Sequence, residues 1–523
     1  MDPQQNQPVF PQPPVSAPEI YTLTDTAYAW LSLVFAFLFC QAVPVRDHPL
    51  GAFLVILGLY ISGFVILRLK KVKLRPVCIL NALSALVIGS ALLLTNARFL
   101  IKLSMAYSLA SYCYFIYAAM GNRIEEGFSN YIYLDFIKIL FVFPFASLER
   151  IYPALSNKSA RKGSMFFLKI LAGMLIAIVP TFMVFLFLSY DSGFMKLLDD
   201  IFSIETDEVV HAIVSLIFTL PLAMWGFGLY ASSGRKLMQD KWTVERCDSG
   251  LQKVKFLPQL TALVAVLPVL FLYVVFFISQ WKYYVSGFTG VLPEGFSYAE
   301  YARQGFFELC AVSVINLVMI VVIAFFIKRG QKGTSVILKI VAPVFCLCTL
   351  ILISTAVAKL VMYIDSYGLT PKRVYAMWLM ALIALVFPVI AVCQFLRKPK
   401  AVALCLSVAV VMFAGLSVCN VNALCARYNT DRYLAGSLET IDMEAMIGLG
   451  DSAIPSLVRA TKEMNGDEQR LLKAKIDTYL LKQIKQRQEE EEFSLFAFSV
   501  PAAQAKAALK DYAKAAAPAD TAQ

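Results

Sequence analysis

A carboxylate one turn inside a long apolar run is the feature of this sequence that most invites chemistry. Glu308 stands in GFSYAEYARQGFFELCAVSVIN, residues 295–316, where a stretch of membrane-spanning length begins. The glutamate stem is too short to reach far back to water, so such a group is paired, protonated or turned toward a cavity. Asn316, two turns on, falls on roughly the same helix face. Lys102 and Lys359 lie at the corresponding depth near the ends of other apolar runs, and Arg303, Asp365, Lys372 and Arg373 border that level. Together these groups suit an ion-paired switch or a polar cavity that binds a ligand, with Glu308, Lys359, Lys102, Arg303, Asn316 and Arg373 as its candidate residues. The plainer alternative has Lys102 and Lys359 reaching out to the headgroups while Glu308 pins two helices together.

Other chemistry is thinly represented. The two histidines are His48, after Asp47, and His211, after an acidic stretch. A His–Asp pair for acid–base work is conceivable there, but two histidines at loop ends are more often inert. The chain carries no phosphate-binding loop, no H-E-x-x-H and no G-x-S-x-G elbow, and Gly226-Phe-Gly228 reads as a helix-packing pair. Most of the eleven cysteines sit inside apolar runs as small hydrophobes. No metal site, no cofactor and no catalytic residue is expected. Cys419 and Cys425, about 9 Å apart along one helix, are too far apart for a disulfide unless that helix breaks.

The elements that must position these groups are membrane helices. Of the 523 residues, 59% are hydrophobic and 16% charged, and the mean hydropathy is +0.67. The apolar residues come in runs of about 20 divided by short charged loops. In lipid, helices satisfy their own backbone groups, which predicts an all-α polytopic bundle. We read eleven spans: 26–44, 49–67, 76–96, 98–120, 165–189, 209–231, 257–280, 305–327, 336–364, 374–396 and 401–424. Pro180, Pro221, Pro268, Pro343 and Pro388 fall inside them. Residues 131–148 contain Asp135 and Lys138, and we read them as an amphipathic helix on the inner surface.

Orientation follows from Lys and Arg. One set of alternate loops holds twenty-three of them, from Arg68 through Arg123, Arg235 and Lys328 to Lys400, and the other holds seven. The rich set is assigned to the cytoplasm, leaving the N terminus inside and the C terminus outside. That use of the +11 net charge argues against nucleic-acid binding. The domain layout is then a disordered Pro/Gln-rich tail over 1–25, a transmembrane domain over 26–425, an extracytoplasmic helical domain over 426–517, and a disordered end over 518–523. Within the third, Gly448 and Gly450 end one short helix, Ser452 caps the next, and Leu472, Ile476, Leu480 and Ile484 make an i, i+4 stripe.

Three stretches, in order, resemble a family of bacterial polytopic inner-membrane proteins known only as a domain of unknown function (4153/4173 type). They are YAEYARQGFFEL at 298–309, YGLTPKRVY at 367–375 and NALCARYN at 422–429, with Ile441-Asp442 and GDSAIPSL at 450–457 resembling the family's tail. Cys425 departs from the aliphatic residue usual there. The resemblance covers roughly 250–460 and implies a bacterial inner membrane, with no activity attached. It also adds Arg427 and Asn429 to the candidate ligand-binding residues. By the charge rule, all these stretches share the outer side. The expected function is to bind a ligand, lipid or envelope partner at that face, in transport, sensing or scaffolding. The alternative is a membrane enzyme acting on an envelope lipid or glycan, with Glu308 or His211 as general acid or base. Expected partners are the bilayer and an envelope protein or lipid.

Overall fold

The computed structural model describes residues 21–42, 48–156, 207–236, 239–289, 306–327, 336–393, 395–396, 400–464, 469–489 and 495–516, with a few positions between 184 and 194. Apart from one bridge pairing Leu257 with Ile327, the regular structure of these residues is helical. The helices used below are α1 (Leu23–Ala42), α2 (Pro49–Leu69), α3 (Pro76–Gly89), α4 (Ala91–Leu94), α5 (Arg98–Ala119), α6 (Ile132–Ile137), α7 (Phe143–Ala146), α8 (Ile151–Ser156), α9 (Asp207–Gly234) and α10 (Val244–Val254). There follow α11 (Gln259–Thr289), α12 (Phe306–Phe326), α13 (Val336–Tyr367), α14 (Pro371–Cys393), α15 (Ala401–Val418), α16 (Val421–Leu434), α17 (Met443–Gly448), α18 (Ile454–Glu463), α19 (Arg470–Glu489) and α20 (Val500–Ala516).

Eight helices among the described residues are long and apolar enough to cross a membrane: Leu23–Gln41, Pro49–Leu69, Pro76–Leu94, Arg98–Ala119, Leu260–Ser279, Val341–Tyr367, Pro371–Cys393 and Ala401–Val418. The chain is a multi-pass, all-α membrane protein. The expected number of eleven is not confirmed among the described residues. The span at 165–189, with Pro180, lies outside the described residues. The one at 209–231 falls on α9, where the side chains of the first turns are not described. The one at 305–327 falls on α12, within which the side chains described without a gap run from Glu308 to Ile323. Pro221, Pro268, Pro343 and Pro388 do sit inside helices. The last expected span ends early, at Val418: Asn420 accepts a hydrogen bond from the Ala423 amide (3.1 Å) and starts α16. The helix therefore breaks between Cys419 and Cys425, yet both are free thiols.

The segment 131–148 is not one amphipathic helix. It runs from α6 through a π-helical turn at Lys138–Val142 into α7. Asp135 and Lys138 are buried while Ile137, Leu140, Phe141 and Phe145 are exposed. That polarity is the reverse of a helix floating with its charges toward water.

The chain forms two compact units. The first comprises Met1–Gln41, Phe64–Val72 and Leu140–Arg235. In it the Tyr28 ring of α1 stacks on Tyr230 of α9 with centroids 3.8 Å apart, and Asp25 receives hydrogen bonds from Lys70 (2.7 Å) and Tyr230 (3.1 Å). A Cβ on Gly228 would clash with the Pro144 carbonyl oxygen, whereas one on Gly226 would meet nothing among the described residues. Only the second glycine of that pair is a packing glycine.

The second unit comprises Ala42–Gly63, Lys73–Ile139 and Lys236–Gln523. One core joins α11, α12, α13 and α14 through residues such as Tyr273, Leu309, Phe345 and Met380. Another joins Ile88, Leu100 and Phe413 to Leu457, Ile476, Leu480 and Leu509, so the C-terminal helices share a core with the ends of α3, α5 and α15. The Leu472–Ile484 stripe packs into it as its spacing predicts. Asn96 is the polar centre of this joint. It donates to the Leu449 carbonyl (2.7 Å) and accepts from Asn422 (2.9 Å) and Ser452 (2.8 Å). Ser452 thus bonds Asn96 instead of capping α18, which starts from Ala453 with Pro455 in its first turn. Gly450, at φ +61°, fits the turn because its missing Cβ would lie 2.9 Å from Asn96 Nδ2.

Candidate functional site

Glu308 occupies the first turn of α12 and is exposed, and α12 packs along α13. Lys359 of α13 is half-buried and lies within reach of the Glu308 charge. Asn316 is eight residues further along α12, about 12 Å by helical rise, and is only 1% exposed. It accepts from the Tyr273 hydroxyl of α11 and donates to Thr349 Oγ1 of α13 at 2.9 Å. Thr349 in turn donates to the Phe345 carbonyl (2.9 Å). The side-chain amide therefore ties three helices together, a contact worth roughly 0.6–2 kcal/mol per bond in a bilayer. Lys102 is exposed on α5, whose main packing partners are α3 and α4. Arg303 and the side chain of His211 lie outside the described residues, and His48 is exposed.

The remaining candidates converge on the turn after α13. Gly368 has φ +75°, and a Cβ there would stand 2.6 Å from Asn429 Oδ1. Asn429 of α16 accepts from the Leu369 amide (2.6 Å) and donates to the Leu369 carbonyl (2.8 Å), filling both backbone groups of one residue. Arg373 donates to the carbonyls of Tyr367 and Gly368 and lies over the Tyr363 ring, 4.0 Å from its centroid. It thereby serves the orphan carbonyls at a helix end. Arg432 bonds Asp365 at 2.8 Å. Arg427 is exposed and pairs with Asp431 one turn on, at 3.7 Å. The YGLTPKRVY and NALCARYN stretches thus form one clamp: α16 grips the end of α13 between Asp365 and Leu369, six to ten residues beyond Lys359.

A second cluster lies at the end of α5, on the loop and helix that follow. Asp135 is fully buried and Lys138, three residues on, is 2% exposed. Asp135 Oδ1 accepts from the Tyr117 hydroxyl (2.6 Å) and the Ile124 amide (3.3 Å), while Oδ2 is buried without a hydrogen-bond partner among the described residues. Lys138 donates to the Asn122 carbonyl (3.1 Å) and lies 5.0 Å and 5.7 Å from the ring centroids of Tyr117 and Trp242. Burial holds the Asp135 carboxyl above its ordinary value, with the Tyr117 bond and the Lys138 charge pulling it down. Burial likewise holds the Lys138 ammonium below its ordinary value, against the pull of Asp135. Cys247 of α10 faces the same charges, and burial raises its thiol. The arrangement can hold or release a proton out of contact with water. Spacing alone marked Asp135 and Lys138 as obstacles to a span. The signal available was an i, i+3 opposite-charge pair inside an otherwise apolar run. Among the described residues no group of three metal-ligating side chains converges.

Residues 80–460, well over half of the chain, match a protein family described as a domain of unknown function (DUF4153). The match contains every stretch quoted above and begins within α3, after the first two candidate spans. No curated protein and no solved structure matches the chain significantly.

Proposed function

The chain belongs to the DUF4153 family, and on that premise we propose that it works in a bacterial inner membrane, binding a ligand, lipid or envelope partner at its outer face. In this reading the N terminus is cytoplasmic and the C-terminal helices, 426–517, are extracytoplasmic, as the excess of Lys and Arg in alternate loops requires. One observation carries the proposal. The helix that bears Lys359, within reach of Glu308, is the helix whose end α16 holds through Asp365–Arg432 and the Asn429–Leu369 bonds. An occupant that bonds Glu308 or Lys359 bears on the same rigid element that carries the C-terminal helices. Binding at Glu308 or Lys359 is thereby linked to the placement of the tail, which suits sensing or scaffolding better than turnover.

Native mass spectrometry of the protein in lipid nanodiscs tests this reading. The wild type should retain a bound species that Glu308→Gln and Lys359→Met both deplete, without loss of helical content. Identical spectra for all three proteins overturn the binding site. A C-terminal reporter fusion tests the sidedness, and a cytoplasmic reporter overturns it.

A further inference from the structure

The segment Leu495–Phe498, between α19 and α20, exposes three large apolar side chains: Leu495 at 65%, Phe496 at 52% and Phe498 at 40%. Its position is unusual for a loop of a C-terminal domain. Phe496 lies against Gly51 of α2, its Cβ and Cδ1 atoms 3.6 and 3.7 Å from where a Gly51 side chain would begin. Gly51 is the third residue of a 21-residue candidate span. That span is about 31 Å long by helical rise, close to the roughly 30 Å hydrocarbon thickness of a bilayer. A ring seated on Gly51 is therefore held at the boundary of hydrocarbon and headgroups. The same span exposes Leu54, Ile61, Phe64 and Val65 further along, so the loop's apolar surface continues that of a membrane helix. Its level is fixed by the domain's own packing: Ile476 and Leu480 of α19 and Ala505 and Leu509 of α20 share a core with Ile88 and Leu100.

We propose that Leu495, Phe496 and Phe498 form a membrane-interface anchor, by which the C-terminal helices insert an apolar loop into the leaflet beside the start of α2. Large apolar and aromatic side chains favour that zone, where a nonpolar body can leave water while the backbone stays hydrated. No cation belongs to the loop, and Glu489 to Glu492 precede it. The anchor thus acts through apolar burial and not through attraction to anionic lipid. Its consequence is a tail held flat against the membrane with one face turned to the aqueous side. This inference does not depend on which side of the membrane that is.

Site-specific photocrosslinking in nanodiscs of phosphatidylethanolamine and phosphatidylglycerol provides the test. The full-length protein carries p-benzoylphenylalanine in place of Phe496, of Leu54 as a lipid-facing control, or of Leu471 as an exposed position on α19. Irradiation should yield lipid adducts at 496 and 54, detected by intact-mass spectrometry, and none at 471. Raising the salt concentration should leave the yield at 496 unchanged. No lipid adduct at 496 while position 54 forms one, or crosslinking of 496 to protein alone, overturns the anchor. Loss of the adduct at 496 in high salt overturns its apolar basis.

Discussion

Replacing Lys138 by methionine keeps the length of the side chain and deletes its charge, which leaves the fully buried Asp135 without its nearest cation. One carboxylate oxygen there already has no hydrogen-bond partner among the described residues. Breaking a buried charge pair from one side destabilises by about 3–5 kcal/mol, or roughly two to three and a half decades in the folding equilibrium. Asp135→Asn should be milder. The new amide oxygen still accepts from Tyr117 and Ile124, and Lys138 keeps the Asn122 carbonyl and the two ring faces. About 1–3 kcal/mol is expected for that change. The double variant removes both charges and should recover about 1–3 kcal/mol relative to the sum of the singles. Equilibrium unfolding in micelles, followed by circular dichroism, measures all four corners of the cycle. Singles that add within about 0.5 kcal/mol, or an Asp135→Asn that is worse than Lys138→Met, would refute the reasoning that these groups form one desolvated pair.

The same pair sets a pH dependence. Asp135 titrates above its ordinary 3.8 in the folded chain, so the folded state binds that proton more tightly and stability falls as pH rises through the window above 3.8. Lys138 titrates below its ordinary 10.5, so stability rises again as pH climbs toward 10.5. Melting curves of Asp135→Asn should lack the acid-side slope and keep the alkaline one. Asn429→Ala removes two hydrogen bonds to Leu369 and should cost about 2 kcal/mol, read as a lower denaturant midpoint. Gly228→Ala forces a Cβ onto the Pro144 carbonyl and should lower stability by at least 1–3 kcal/mol. Gly226→Ala, which meets nothing, should instead be neutral or slightly stabilising; equal effects at the two glycines would show that the close approach does not exist in solution.

What the sequence discloses divides along the range of the forces involved. Apolar runs report lipid burial residue by residue, so the positions of α1, α2, α3, α5, α11, α13, α14 and α15 are readable from hydropathy alone. The tail stripe Leu472–Ile484 is equally local. Helix breaks are harder. The stop at Val418 depends on Asn420 capping α16, and that asparagine sits in an unbroken apolar pattern until its cap geometry is seen. The sequence places Glu308 and Lys359 near the ends of apolar runs, and α12 and α13 pack together so that the two charges act on each other. Lys102 has the right depth on a helix that packs elsewhere, and depth carries no information about azimuth. The inward polarity of 131–148 is hidden from the sequence for a related reason. A charged pair reads as surface unless its partners are known, and Tyr117, Asn122 and Trp242 lie on other elements. Arg373 and Asn429 stand out as polar residues in family-like stretches. Only geometry reveals that their bonds go to backbone groups of the turn after α13.

The Asn96 joint has a bearing on how the chain is made. The residues it ties together are separated by 353 positions in one bond and 356 in another. Asn96 leaves the ribosome more than 350 residues before Leu449 and Ser452. Chains fold largely in the order they are made, so the turn before α5 must wait while the intervening residues are made, with the Asn96 amide lacking these partners. A polypeptide cut short before residue 449 would carry that open end, and the uncovered apolar surface of Ile88 and Leu100, into the membrane. Closure of this joint therefore has to follow synthesis of residues 449–452.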